Sequence, residues 1–411
     1  MSATLGELIA ALEALPPNPR IVASGNGAIP FELLQIADRN VPKFTLNMLA
    51  AHSGLPSREG ITHETSFVGS GMRKSPHLSY VPARLSMVPL LFKNALPVDA
   101  VIAHTSVPHN GKVSLGIETN VVVGAIEACK ARGGTIIAQA NKQMPYTFGD
   151  SEYDVEDFDV IYEVDLPVAN YRERKIVSAS STDTATIGAA VADRVLDGSV
   201  LQLGIGAIPD AVLPELAHKR GLGIWTEMFS DGLLALIEAG AMDQELPITA
   251  SFSVGSAELY EWMHLNPNVV MRRTETTNNP GNIAKQRQMT SVNTALQVDL
   301  FGQANASRIN TRIHSGFGGQ TDFIVGALHS KGGQAIMALR SWHPKADVST
   351  IVPLIDEPVT SFQHSAIITE QGVAEIFGND QAKQCWSIIN KTAHPSVRDE
   401  LWEEARALGL A

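Results

Sequence analysis

The segment GLGIWTEMFSDG, residues 221–232, sets one carboxylate, Glu227, among the apolar and aromatic residues Trp225, Met228 and Phe229. Leu222 through Thr226 read as a short buried strand, and Gly232 onward as a helix. Glu227 then stands at the carboxyl edge of a strand, where open α/β sheets place their ligands. A carboxylate in such surroundings loses part of its hydration and becomes more nucleophilic. Taken alone, these residues still favour the plainer reading of a satisfied loop glutamate.

Two glycine-rich turns accompany it. Gly204-Ile205-Gly206-Ala207-Ile208 follows an apolar run and opens a helical pattern, so its backbone N–H groups form a potential anion site. Ser315-Gly316-Phe317-Gly318-Gly319-Gln320 precedes another helix start with Asp322 in its first turn. Glycines so dense are retained where backbone approaches a ligand or turns sharply, and a nest of donors is favoured over a hairpin turn. A dinucleotide fingerprint needs a third glycine, and the chain has Pro209 there. GxxxxGK[ST], GxSxG and HExxH are all absent, and the twelve histidines do not fall into metal-ligand spacing. His104 and His109 read as structural or surface residues.

The elements that must position these groups repeat. GNGAIPFELL at 25–34 recurs as GIGAIPDAVL at 204–213, each after a short β-branched or apolar run. The first copy has no obvious chemistry around it and reads as a packing turn. A fainter echo links Val123-Gly124-Ala125, Gly133-Gly134 and Ile136-Ile137-Ala138 to Val325-Gly326-Ala327, Gly332-Gly333 and Ile336-Met337-Ala338. Two matches in the same order predict an α/β protein of two similar open halves, 1–181 and 182–411. The Ser/Thr-rich stretch 178–186 would form the join and cap a helix over about 186–196. Runs at 100–107, 135–140, 200–204, 334–341 and 349–355 alternate with helical patterns and predict largely parallel, doubly covered sheets.

Composition bounds the partners. The 411 residues, 44% hydrophobic and 18% charged, suit a globular protein with a sizeable core. A net charge of −12 argues against a nucleic-acid surface, though not against a small polyanion. Two cysteines, Cys129 and Cys385, give neither a disulfide scaffold nor a CxxC metal site. Leu5, Leu8, Ile9 and Leu12 mark an amphipathic helix rather than a signal peptide, and no apolar run reaches membrane length. A cytoplasmic protein without membrane or nucleic-acid partners is expected.

Several long motifs resemble the acetyl-CoA hydrolase/transferase family, and within it the 4-hydroxybutyrate CoA-transferases. They include GIGAIPDAVL, TEMFSDG (226–232), SVNTALQVDLFGQAN (291–305), SGFGGQTDFIVGA (315–327), SKGG (330–333), ITEQGVAE (368–375) and AHPSVRDEL (393–401). HNGKVSLGI (109–117) and ANKQMPYTFGDS (140–151) extend the likeness into the first half. The resemblance implies a duplicated, NagB-like CoA-transferase fold with Glu227 as nucleophile. It implies that Gly316, Gly318 and Gly319 stabilise oxyanions, and that Gly204, Ile205, Gly206, Ala207, Ile208, Asn293 and Lys331 contact coenzyme A, with the SGFGGQ glycines. Coenzyme A would be part of the substrate, with no permanently bound cofactor, and a homodimer or larger homo-oligomer is the family habit. Glu227, ionised at neutral pH like a free glutamate of pKa about 4.3, would attack an acyl-CoA and pass its CoA to a short carboxylic acid. Hydrolysis by the same glutamate is the first alternative, and a non-catalytic CoA-binding protein the second. The chain departs from the family at Trp225, where histidine is common, and across 361–383, where the usual arginines are missing.

Overall fold

Thr4 and Glu7 open the first helix reciprocally. The Thr4 hydroxyl accepts the Glu7 N–H at 3.3 Å, and the Glu7 carboxylate accepts the Thr4 N–H at 2.7 Å. This capping box starts α1, Leu5–Glu13, which buries Leu8 and Leu12 and leaves Leu5 exposed. The computed structural model describes residues 2–168, 182–204, 206–361 and 363–411. Its chain forms two units. The first comprises Met1–Arg174, Pro247–Thr277 and Ile313–Gly318, and the second Lys175–Leu246, Asn278–Arg312 and Gly319–Ala411. The sequence suggested a single boundary; each unit in fact draws on three stretches of chain.

The first unit is built on seven parallel strands: β1 (Arg20–Ala23), β2 (Phe44–Asn47), β3 (Ile61–Thr65), β4 (Leu78–Tyr80), β5 (Ala100–Ser106), β6 (Thr135–Asn141) and β7 (Val160–Val164). Their order across the sheet is β7-β6-β5-β1-β2-β3-β4. Alternation along each strand divides the core. Ile21, Ala23, Ala100, Ile102 and Ile137 pack with α1 and with α2 (Phe31–Asn40) on one face. Val22, Val101, Ala103, Ile136 and Ala138 pack with α3 (Val122–Ala131) on the other. Both faces are covered, which is why these strands read as apolar runs rather than as alternating ones.

The second unit begins its described part with α4 (Thr182–Ala192), four residues earlier than the sequence suggested; 178–181 lie outside the described residues. Its six-stranded sheet contains β8 (Val200–Leu203), β9 (Gly223–Ile224), β10 (Thr290–Asn293), β11 (Gln334–Ala338), β12 (Ala366–Thr369) and β13 (Gly372–Glu375). The order is β9-β8-β10-β11-β12-β13, parallel except for the final antiparallel pair. Three further helices matter to the site: α5 (Ala207–Glu215), α6 (Gly232–Glu238) and α7 (Gln320–His329). Gly188 lets α4 lie close to α5, since a Cβ there would press on the Ala211 backbone.

The repeated motifs fall on equivalent elements. β1 and β8 each precede a GxGAIP turn, each pairs with the next strand in sequence, and each has β5 or β10 on its other side. The GG turns at 133–134 and 332–333 lead into β6 and β11, the next strands outward. The stretch 349–355 is broken where one strand was expected. Thr350 donates its N–H to the Ser341 carbonyl and its hydroxyl to the Arg340 carbonyl, leaving only two-residue strands at 348–349 and 351–352. Among the described residues no helix is long and apolar enough to cross a membrane.

Candidate active site

Glu227 lies three residues beyond the end of β9, beside the end of β8. The Thr226 hydroxyl donates to the Met228 carbonyl at 2.9 Å and reaches the Leu203 carbonyl at 3.4 Å, tying the segment to the neighbouring strand. Met228 and Phe229 are buried, and Glu227 is half-buried between them and Thr226.

Two donors hold the carboxylate. Asn278 Nδ2 donates to Glu227 Oε2 at 3.0 Å, and the Gly319 backbone N–H donates to the same carboxylate. Asn278 is placed by its neighbour: Asn279 accepts the N–H groups of Gly281 and Asn282 and so caps the turn Pro280–Ile283. Gly319 is the N-cap of α7 at φ −97°, a conformation open to any residue. The glycine leaves space for the site, because a Cβ here would press on Glu227 Oε2 and Asn278 Nδ2 and push both side chains out of place.

Burial lifts the Glu227 carboxyl to about 7. The Asn278 bond opposes that rise, the buried Asp322 carboxylate in the first turn of α7 adds to it, and the Gly319 N–H opposes it again. The expectation of a glutamate that ionises like a free one is therefore corrected: burial holds this carboxyl well above the ordinary carboxylate range.

The other candidates are placed as follows. Gly206, at φ 118°, is the N-cap of α5, with Ala207 and Ile208 in the first turn; Ile205 lies outside the described residues. Among the described residues, a Cβ on Gly204 or Gly206 would meet no atom within 4 Å, so both glycines have open space beside them. Beside it opens a pocket of about 240 Å³ whose walls come from Gly206–Pro209, Thr294–Leu296 and the 339–344 segment. Asn293, at the end of β10, turns its amide to Ser291 Oγ at 2.9 Å and Gln202 Oε1 at 3.3 Å, and the next residue begins the pocket wall.

Lys331 is not brought there. It follows α7, and its carbonyl accepts the Gln288 N–H just before β10 starts, at the amino edge of the sheet, opposite Gly204. Gly316 and Gly318 belong to the first unit. Gly316 lies against Ser66 and Phe67, and the Gly318 carbonyl accepts the Leu85 N–H at 2.9 Å. Gly319 belongs to the second unit, and there it reaches Glu227.

The first-copy turn is occupied by packing. Gly25 abuts the Leu49 backbone, the Asn26 N–H donates to the Leu49 carbonyl at 3.2 Å, and the buried Asn26 amide donates to Glu118 at 2.8 Å. His104 is buried against Ala28, Gln139 and Asn141, and burial holds it down to about 4. Among the described residues no cluster of three His, Cys, Asp or Glu forms a metal site. Asn278 and the pocket wall at 339–344 escaped the sequence reading. The one available signal was Asn279-Pro280, a cap-and-proline helix start that fixes the residue before it.

Residues 255–405 match the family model of the acetyl-CoA hydrolase/transferase C-terminal domain. Over 417 aligned residues the chain is 36% identical to the 4-hydroxybutyrate coenzyme A transferase of Clostridium kluyveri, covering 96% of this chain and 95% of that protein. The chain belongs to the acetyl-CoA hydrolase/transferase family. The crystal structure of a 4-hydroxybutyrate CoA-transferase from Porphyromonas gingivalis matches it with a TM-score of 0.81 at 30% identity, over 98% of this chain and 97% of that one. RipA from Yersinia pestis matches with a TM-score of 0.89 at 26% identity over 100% of both chains. The family segment 255–405 contains Asn278, Gly319 and Asp322, while Glu227 and the 204–208 turn precede it.

Proposed function

We propose that this protein moves coenzyme A from an acyl-CoA to a short carboxylic acid, with Glu227 as the covalent nucleophile. The observation that carries the reading is the pair of donors on the Glu227 carboxylate, Asn278 Nδ2 and the Gly319 N–H. Such donors suit a carboxylate that becomes a carbonyl and then an oxyanion.

In the first step a Glu227 oxygen attacks the thioester carbon. The C–S bond breaks, CoA leaves as thiolate, and an acyl-glutamyl anhydride remains. The thiolate then attacks Glu227 Cδ, the bond to the bridging oxygen breaks, and the first acid departs as carboxylate. The product is a glutamyl-CoA thioester. An incoming carboxylate attacks that thioester, and the same steps in reverse release the new acyl-CoA. Whenever Cδ is attacked, negative charge develops on its carbonyl oxygen, where Asn278 already points. One such donor contributes about 2.7–4 kcal/mol to the transition state. Partial desolvation makes the ionised carboxylate a stronger nucleophile than a free glutamate.

Mass spectrometry after borohydride reduction tests the reading. Incubation with acyl-CoA followed by reduction should convert the Glu227 side chain to the primary alcohol and abolish transfer. Transfer that continues with an unmodified Glu227 peptide refutes it. Release of free thiol without added acid, as fast as transfer, would assign hydrolysis instead.

A further inference from the structure

His63 lies in the middle of β3, in the first unit, and is 1% exposed. Its Nε2 stands 2.8 Å from the Pro56 carbonyl, an oxygen that only accepts, so the proton of the neutral ring sits on Nε2. Nδ1 is left as an acceptor, and the Ser75 hydroxyl donates to it at 2.9 Å. Burial holds His63 below its ordinary value, the Pro56 bond opposes that fall, and nearby His77 adds to it. The ring is therefore unprotonated at neutral pH and can take a proton. A hydroxyl, an imidazole that can receive its proton, and an acceptor that fixes the imidazole together make a serine nucleophilic.

The turn that carries Ser75 is fixed on both sides. Gly71 donates its N–H to the Ala51 carbonyl at 2.8 Å, and Ser75 donates its own N–H to the carbonyl of the buried Met72 at 2.9 Å. The His77 N–H donates to Ser75 Oγ at 3.2 Å, and the His77 carbonyl accepts the His63 N–H at 3.0 Å. With its proton turned to His63 and one lone pair to His77, Ser75 Oγ keeps a second lone pair for an electrophile. Ser75 is half-buried between the exposed residues Arg73, Lys74, Pro76 and His77, so it reaches the surface while its base stays covered. Arg73 and Lys74 add positive charge where a polyanionic reactant would arrive.

We propose that Ser75 is a self-acylation site that takes an acyl group from an acyl thioester, with His63 as its general base. Ser75 Oγ attacks the thioester carbon, and its proton passes to His63 Nδ1. The C–S bond breaks, and the departing thiolate recovers that proton from His63. The products are an O-acyl serine and a free thiol. The new ester has no hydroxyl proton, so the bond that ties Ser75 to His63 is lost.

Acetyl-CoA is the probe, and Glu227→Gln is the protein tested, so that no acyl group is held at position 227. Peptide mass spectrometry should find an acetyl group on Ser75 that hydroxylamine removes, as it does an ester. Adding Ser75→Ala should abolish the label, and Ser75→Ala alone should leave transfer through Glu227 unchanged. Adding His63→Gln should slow labelling by about 100- to 10,000-fold, with urea unfolding run alongside to show that the variant is folded. Reaction of Ser75 in the wild-type protein with diisopropyl fluorophosphate reads the same activation without touching the buried histidine. An unmodified Ser75, a hydroxylamine-resistant acetyl group on Lys74 instead, or labelling at the full rate in folded His63→Gln overturns the proposal. So does a wild-type Ser75 that the fluorophosphate leaves intact.

Discussion

Asn278 Nδ2 lies 3.0 Å from Glu227 Oε2, though 51 residues separate the two in the chain. The bond favours the ionised carboxylate, whereas the nearby Asp322 charge disfavours it. The two residues therefore make opposite predictions. In wild type, kcat/KM should rise through about pH 7 as Glu227 ionises. Asn278→Ala should move that midpoint upward and lower the plateau by about 100- to 1000-fold. Asp322→Asn should move the midpoint downward. pH–rate profiles of the three proteins decide the matter, and shifts in the same direction would contradict the arrangement.

Gly319→Ala is expected to disable the site more than the fold. The added methyl meets Glu227 and Asn278, while φ −97° imposes no backbone strain. Destabilisation of about 1–3 kcal/mol, as for other overpacked sites, should accompany a fall in kcat of about 100-fold or more. Urea unfolding and steady-state kinetics on one preparation separate the two effects. Full activity in this variant would mean that the carboxylate does not sit against the glycine backbone.

Glu227→Gln should reveal what the buried carboxyl costs the fold. The folded carboxyl titrates near 7, above its ordinary value of 4.5. Its favourable contribution is thus complete below about pH 4.5 and is lost as pH rises through 7. The amide does not titrate, so the variant should gain on wild type across that interval and level off above it. A difference on the order of 2 kcal/mol is expected at pH 8. Unfolding midpoints at pH 5 and pH 8 measure it, and a pH-independent difference would contradict the raised value.

Gly25→Ala, in the first copy of the repeated turn, should act on stability alone. Its Cβ would strike the Leu49 carbonyl, backbone that cannot easily give way. A loss of about 1–3 kcal/mol is expected, with KM for acyl-CoA and the pH midpoint unchanged. A shifted midpoint would assign that turn a part in the chemistry.

Much of the scaffold was legible because it is local. Apolar runs at 100–107 and 135–140, separated by helical patterns, suggested strands covered on both faces, and the repeated GxGAIP marked equivalent turns. The site was legible in part. Glu227 was singled out by its motif and strand-end position, and Gly319 by glycine density. Asn278 carries no signal of its own, since its role arises when α7 and the 278–283 turn meet the end of β9. The ionisation of Glu227 was misjudged for the same reason: it depends on Asp322 and on burial, neither of which sequence spacing reveals. Lys331 sat in a matching motif, yet the strand direction carries it to the other edge of the sheet.

The segment after β2 occupies, in the first unit, the place that the Glu227 segment holds after β9 in the second. In the first unit it turns through Ala50, at φ 46°, and lays the Leu49 backbone over the GNG turn. That turn answers only to its own chain, so drift at 25–27 is policed by folding. In its twin, among the described residues, a Cβ on Gly204 or Gly206 would meet no atom within 4 Å, so those positions answer to something other than packing. Two turns with nearly the same spelling thus answer to different selective pressures. Attempts to change what this protein accepts belong around the second, where a new side chain has room that the first turn lacks.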